Sequence, residues 1–249
     1  MAPVFEKIAA WFLDVKETFI FNFIEDNRWK YIANGLLVTL EVTFFALLLG
    51  ICIGVVVAMI RSSYDQNKED LQPGPGKFLF SLLNAVAKFY LTVIRGTPVV
   101  VQLLIGYFII FVSSTNTVLV ASLVFGINSG AYITEVIRSG IMSLDQGQFE
   151  AGRSLGFNYI QTMRWIIIPQ AFKNVLPALA NEFIALLKET AVCGYIGLMD
   201  LTKGGDVIRG RTFTAFMPLL AVALIYLILV VVISWLIGKL ERRLKSSER

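Results

Sequence analysis

Apolar positions along this chain collect into long unbroken runs instead of alternating with polar ones. Residues 36–60 and 214–238 each form a run of about 25 residues, which as a helix crosses a hydrocarbon core of roughly 30 Å. Within the first run, Thr39, Thr43, Ala46, Gly50, Gly54 and Ala58 fall on one helical face, with Glu41 well away from it. Such a stripe of small residues predicts close approach of another helix. Residues 61–77 are polar, hold two Pro-Gly pairs and predict a solvent loop.

Residues 78–94 are apolar apart from Lys88 and lead into Arg95-Gly96-Thr97-Pro98. Thr97 as an N-cap with Pro98 in the first turn predicts that a second span starts or kinks there and runs over 98–112, with a lead-in from 78. A third span is expected at 117–137, with Asn128, Tyr132, Glu135 and Ser139 in a polar stripe that lipid cannot face. Residues 138–176 are too polar to span. A fourth span is expected at 177–198, where Asn181, Lys188 and Tyr195 share a face beside Glu182 and Glu189. This polar wedge of about 100° must point inward or at a subunit interface. The fifth span is 214–238. Ahead of them, Ile8, Phe12, Val15, Phe19 and Phe23 recur at helical spacing with Trp11 beside them, predicting an amphipathic interfacial helix in residues 1–32. Asp14 and Glu17 interrupt any cleavable signal there. The expected fold is an all-α polytopic membrane bundle of five transmembrane helices.

Charge sets the orientation. Arg61, Lys68, Lys77, Lys88, Arg95, Arg138, Arg153, Arg164, Lys173, Lys239, Arg242, Arg243, Lys245 and Arg249 fall on one side of these spans. The other side holds half as many: Lys7, Lys16, Arg28, Lys30, Lys203, Arg209 and Arg211. The positive-inside rule places the N-terminus outside and the basic tail, 241–249, in the cytoplasm. The net charge of +4 is therefore a matter of topology and not of nucleic-acid binding.

Composition narrows the chemistry. Hydrophobic residues make up 56% of the chain and charged ones only 16%, against about a quarter charged in soluble domains. With no histidine, Ser-His-Asp chemistry and His-ligated metal are excluded, and no metal site or catalytic residue is expected. Cys52 and Cys193 lie in apolar segments and read as small packing residues. Gly74-Pro75-Gly76-Lys77 has the wrong spacing for a phosphate-binding loop and is followed by Phe78. If ATP is used, another chain hydrolyses it.

The loop at 141–172 is the informative stretch. Ser143 to Gln146 reads as a capping box opening a short helix, and Gly156 suits the left-handed position that stops it. Asn158 and Gln161 read as the cap of a second short helix, which Pro169 limits. Glu150-Ala151-Gly152, three residues, Gly156, nine residues, then Ile166-x-Ile168-Pro169 resembles the EAA loop of ABC importer permeases, E-A-A-x3-G-x9-I-x-L-P. The chain departs from it with Gly152 for Ala and Ile168 for Leu. Arg95-Gly96-Thr97-Pro98 with Gln102, Asn128-Ser129-Gly130-Ala131-Tyr132, Glu135 with Arg138, and Asn181-Glu182-Phe183-Ile184 before Leu186-Leu187-Lys188 resemble the polar-amino-acid branch of that family.

That resemblance implies a type I ABC importer permease fold over 33–240. It also implies a bacterial cytoplasmic-membrane location and coupling through Glu150, Ala151, Gly152, Gly156, Ile166, Ile168 and Pro169 to separate ATPase subunits. Those subunits, and not this chain, would bind ATP and Mg. The other implied partners are an extracytoplasmic amino-acid-binding protein and a polar amino acid as substrate. Five spans are too few for a pathway at their own centre, so a second permease copy or paralogue is expected, homomeric or heteromeric. Gln102, Asn128, Tyr132, Glu135 and Lys188 are candidates for the substrate pathway. A secondary transporter or channel explains the intramembrane charges equally well but gives no use for the capped cytoplasmic hairpin. A membrane enzyme has less support still.

Overall fold

The computed structural model describes residues 13–67 and 73–246, and among these every regular element is helical. Ile8, Trp11 and Phe12, as well as Lys68 and Arg249, lie outside the described residues. Helix α1 is Trp29–Asn67, α2 is Pro75–Gly96, and α3 is Val99–Ile105, extended by a wider turn over Gly106–Ile110. Helix α4 is Thr117–Met142, α5 is Gln146–Ser154 and α6 is Tyr159–Thr162. Helix α7 is Ile168–Glu189, α8 is Leu201–Thr212 and α9 is Phe216–Ser246. Among the described residues, α1, α2, α4 and α9 are long and apolar enough to cross a membrane.

The small-residue stripe of α1 packs on α4, and all six of its members are buried. Gly126 opposes Leu49, Gly130 opposes Ile53, and Gly54 opposes Ile133. Residue numbers rise together along both helices, so α1 and α4 are parallel. The chain between them must therefore pass back along the bundle once, and α2 and α3 do so in two pieces. Asn84 meets Arg61, Tyr90 donates to the Ile127 carbonyl, and Gly106 faces Val124. The break between the two pieces falls at Thr97 and Pro98, as the pattern predicts, but Thr97 is not an N-cap. It is extended, with φ −120° and ψ 144°, because the proline ring disfavours a helical residue before it. Its hydroxyl instead donates back to the Val93 carbonyl. The lead-in is also longer than expected, beginning at Pro75.

Helix α7 runs antiparallel to α4. Val175 packs against Gly140 at one end, and Ser129 Oγ donates to Glu182 Oε1 at 3.0 Å further along. Two prolines placed at helix boundaries by the sequence lie inside a continuous rod. From Tyr159 the chain stays helical through a wider turn at Met163–Ile167 and on to Glu189. The Ile168 amide bonds five residues back, to the Met163 carbonyl, and this slack accommodates Pro169. Pro177 lies within α7, against a cavity where the carbonyl it leaves without a helical donor can find other partners. The fourth apolar stretch is accordingly not one helix. It bends after Glu189 into a tight turn over Thr190–Ile196, closed by Gly197 at φ 77°.

Helix α8 is absent from the expected elements. Asp200 caps it by accepting from the Thr202 and Lys203 amides. It packs beside the N-terminal part of α1 and below α9, in a core of Phe23, Ile32, Leu201, Ile208 and Val222. The segment before α1 joins this core. Residues 13–19 are helical, and of the predicted stripe Phe23 is buried and Val15 half-buried, but Phe19 is exposed and the buried neighbour of Phe23 is Asn22. Asn22 Oδ1 accepts from both Thr212 and Thr214, and its amide donates to the Thr18 carbonyl. Bonds to three groups, the Thr18 carbonyl and the Thr212 and Thr214 hydroxyls, explain why a polar side chain sits in this core.

Candidate functional site

The hairpin of α5 and α6 is built from its turn outward. Asp145, not Ser143, caps α5, its carboxylate accepting from the Gly147 amide at 2.8 Å. Ser143 stays at the end of α4, donating to the Gly140 carbonyl and accepting from Asn174. The shift has a local cause, since aspartate two residues before glycine offers a shorter path to a free amide. At the other end the chain leaves the helix through Gly156 at φ 79°. The Gly156 amide bonds the Arg153 carbonyl at 2.9 Å and the Phe157 amide bonds the Gly152 carbonyl at 3.0 Å. These two bonds define a Schellman turn. Asn158 and Gln161 then form the predicted capping box, both arms at 2.9 Å.

Two contacts hold the arms of the hairpin together. Gly152 is buried against Thr162, where a Cβ would stand 2.6 Å from the Thr162 side chain. Gln170 donates to Gln148 Oε1 at 3.0 Å. Beneath, Ile141, Phe149, Met163, Ile167 and Ala171 form a separate small core, with Ile166 half-buried at its edge. The hairpin is thus welded to the end of α4 and to the start of α7. Glu150, Ala151 and Gly156 face outward, as do Ile168 and Pro169. Beside them Leu155, Ile160 and Trp165 are exposed apolar side chains, Ile160 to 74%. Tyr159 reaches back to α1, its hydroxyl 3.4 Å from Ser63 Oγ. Burial pushes the Tyr159 phenol above its ordinary pKa, and the Ser63 hydrogen bond opposes that shift only in part. It stays neutral at physiological pH.

The five candidate pathway residues do not form one group. Gln102 and Asn128 meet at the α2–α3 break, Asn128 Nδ2 donating to Gln102 Oε1 at 2.9 Å. Gln102 in turn donates to the Ile94 carbonyl and to both the carbonyl and hydroxyl of Thr97. Asn128 is only 2% exposed, so the pair fastens the break and does not line open space. Tyr132 lies a turn further on, with the Arg95 guanidinium 5.6 Å from its ring centre. Glu135 borders a cavity of about 740 Å³ that also touches Ser139, Lys173, Asn174 and Glu241. Lys188 stands apart, exposed on α7 together with Asn181, and Tyr195 is exposed in the tight turn that follows. Ser129 and Glu182, bonded in the middle of the bundle, belong to the two runs that carry the family resemblance, but their pairing across 53 positions has no signal in the sequence.

The profile of binding-protein-dependent transport system inner membrane components matches residues 76–246. The arginine transport system permease protein ArtQ of Bacillus subtilis (strain 168) is 34% identical over 221 residues, 88% of this chain and 94% of that protein. The glutamine transport system permease protein GlnP of Escherichia coli (strain K12) is 38% identical over 168 residues, 66% of this chain and 77% of that one. A crystal structure of an amino acid ABC transporter with histidines is 38% identical with a TM-score of 0.76, covering 89% of this chain and 98% of that chain. The inward-facing MetNI methionine ABC transporter shares the fold at 20% identity, with a TM-score of 0.72 over 88% of this chain and 98% of that one. With two-thirds of its length matched by the family and a 38% identical structure covering 89% of it, this chain belongs to the inner-membrane components of binding-protein-dependent transport systems, the permease subunits of ABC importers.

Proposed function

We propose that this chain carries a polar amino acid across the bacterial cytoplasmic membrane as the permease subunit of an ATP-driven importer. The observation that carries the coupling is the hairpin at residues 146–167. It is capped at both helix starts, closed by a glycine turn, and presents Glu150 and Ala151 beside uncovered apolar side chains. A surface of that kind suits docking in a cleft of a separate ATPase subunit, which holds the ATP and Mg. The amino-acid class follows from relatives named for arginine and glutamine transport. In this reading the bundle over 33–240 crosses the membrane five times, α2 with α3 making one crossing and α7 another. A second permease copy or paralogue completes the route, and an extracytoplasmic binding protein delivers the amino acid to the α8 end.

The mechanical consequence follows from continuity. A push on the hairpin acts at Tyr159, and the helix is unbroken from there to Glu189, about 45 Å away at 1.5 Å per residue. The same push acts on α4 through the Ile141–Phe149–Ile167 core. ATP-driven closure of the ATPase pair then rocks α4 and α7, which bear Glu135, Glu182 and Lys188, between outward-open and inward-open arrangements. Coexpressed with its ATPase and reconstituted, the complex should hydrolyse ATP faster when an amino-acid-loaded binding protein is added. Purification without any ATPase, together with import driven by an ion gradient alone, would sink the proposal.

The topology has its own test. In a background lacking Cys52 and Cys193, cysteine at Ile160 should react with a membrane-impermeant maleimide only in inverted vesicles. Cysteine at Ala215 should react from outside intact cells. The reverse pattern contradicts the orientation. Asn128→Leu strands the Gln102 carbonyl and loosens the α2–α3 break. With about 1–3 kcal/mol for an unmade buried hydrogen bond, import should fall roughly tenfold while complex yield stays near wild type. Unchanged transport kinetics would show that import does not depend on this fastening of the break.

A further inference from the structure

Between the hairpin and the α2–α3 break lies a chain of ionic contacts that the coupling loop alone does not account for. Arg61 of α1 donates Nη1 to Asn84 Oδ1 of α2 at 2.6 Å and stands 3.8 Å from Asp65. Asp65 accepts from Arg138 Nη2 of α4 at 2.9 Å. The other arm of Arg138 donates to Glu135, at 3.3 and 3.4 Å to its two oxygens. Glu135 is 3.9 Å from Arg95, at the end of α2. The contacts therefore close a ring that grips α2 twice, at Asn84 and at Arg95, about 16 Å apart along the helix.

The two grips differ in strength. Arg138 is 16% exposed and holds both of its acceptors at hydrogen-bond distance. Arg95 is 45% exposed and reaches Glu135 only as an ion pair, steadied by the Tyr132 ring. Solvent screens the second contact far more than the first. Arg95 also directly precedes Gly96, Thr97 and Pro98, where the helix is already broken. The Nε groups of Arg61 and Arg138 find no acceptor among the described residues, so the ring is not saturated in this arrangement.

We infer that this ring is a latch, with Arg138 as the positioning residue that passes hairpin movement to α2. The latch opens at Arg95–Glu135 when the cavity beside Glu135 opens toward the cytoplasm. The hairpin grips α4 through its small core and α1 through Tyr159 and Ser63, so its displacement shifts Arg138 against Asp65. Arg95 then leaves Glu135, and α2 swings about the break fastened by Gln102. This rests on the importer reading given above.

The test uses the full reconstituted complex with its ATPase subunits and binding protein, and reads amino acid imported per ATP hydrolysed. Arg138→Gln should lower that ratio about tenfold while ATP hydrolysis stays within roughly twofold of wild type. Arg138→Lys keeps one charge but cannot span both carboxylates, and should fall in between. Asp65→Asn, which removes the other carboxylate held by Arg138 and leaves Glu135 in place, should lower the ratio in the same way. As a second readout, Arg95→Gln should speed labelling of a cysteine placed at Ser139, on the cavity wall. A purely structural role predicts that import, hydrolysis and complex yield fall together in these variants, and that result overturns the latch. A wild-type ratio in Arg138→Gln overturns it too, while Gly156→Val still tests the hairpin separately. Failure of the wild-type complex to import with ATP overturns both.

Discussion

Valine at Gly156 should leave the permease inserted and folded but abolish import, with ATP hydrolysis no longer stimulated by the loaded binding protein. Space is not the obstacle, because a Cβ at Gly156 meets nothing within 4 Å. The obstacle is the backbone, held at φ 79° by the two bonds of the Schellman turn. A β-branched residue in the left-handed region costs on the order of 1–2 kcal/mol, and the turn can shed that strain only by opening. Opening it frees the Gly152 and Arg153 carbonyls and changes the angle between α5 and the rod that begins at Tyr159. Asparagine visits the left-handed region more readily, so Gly156→Asn should retain most of the import. The two variants differ in backbone preference and not in available room. Equal, wild-type import by both would show that the turn angle does not matter to coupling. Equal loss by both would point to the absence of a side chain as the requirement.

The other large effect lies in the membrane. Gly54→Leu should prevent recovery of folded protein in detergent, because the α1–α4 contact is too close for any side chain there. Even a Cβ would stand 2.5 Å from Ile133 Cγ2 and 3.2 Å from the Thr134 amide nitrogen, which cannot rotate away. Overpacking of a fitted core costs typically about 1–3 kcal/mol, and here relief requires the two helices to separate along their length. Separation would also disturb Ser129, which faces Gly50 on one side and bonds Glu182 on the other. Val56→Leu, two residues away on the exposed face, is the control and should be recovered normally. The measurement is the monodisperse fraction by size-exclusion chromatography, followed by thermal unfolding of what remains. Normal recovery of Gly54→Leu would mean that the two helices do not depend on this contact.

Features set by neighbouring residues were readable in the sequence, and those set by distant ones were not. The stripe from Thr39 to Ala58 announces close packing because its spacing alone puts small residues on one face. Gly156 and the Asn158–Gln161 box are likewise local, and all of them stand where the pattern puts them. Asp145 was equally legible, but Ser143 offered a competing motif two residues earlier. Pro169 and Pro177 misled for a different reason. A proline marks a helix end only when no wider turn or polar cavity absorbs the missing amide, and neither can be seen in one dimension. The ring through Arg61, Asp65, Asn84, Arg95, Glu135 and Arg138 needs three helices to be placed before any member finds its partner. Composition could suggest that Glu135 pairs with Arg138 one turn on, but not that Asp65, 73 positions earlier, takes the other arm. Asn22 is the extreme case, a buried amide whose two hydroxyl partners follow 190 and 192 positions later.

That delay has a consequence for biosynthesis. Thr212 and Thr214 lie 190 and 192 positions after the side chain they hold. At about 5–20 residues per second, a ribosome needs roughly 10–40 s to bridge the gap. Throughout that interval Asn22, in the segment ahead of α1, lacks the two hydroxyls that hold it, while the helices from α1 to α8 are laid down. Its clasp closes only as α9 begins to emerge, long after Asn22 itself has been made. A chain truncated before Thr212 would keep this segment open to proteases for its lifetime, whereas the finished protein would not, and this difference gives a quality-control protease a chemical mark of incomplete synthesis.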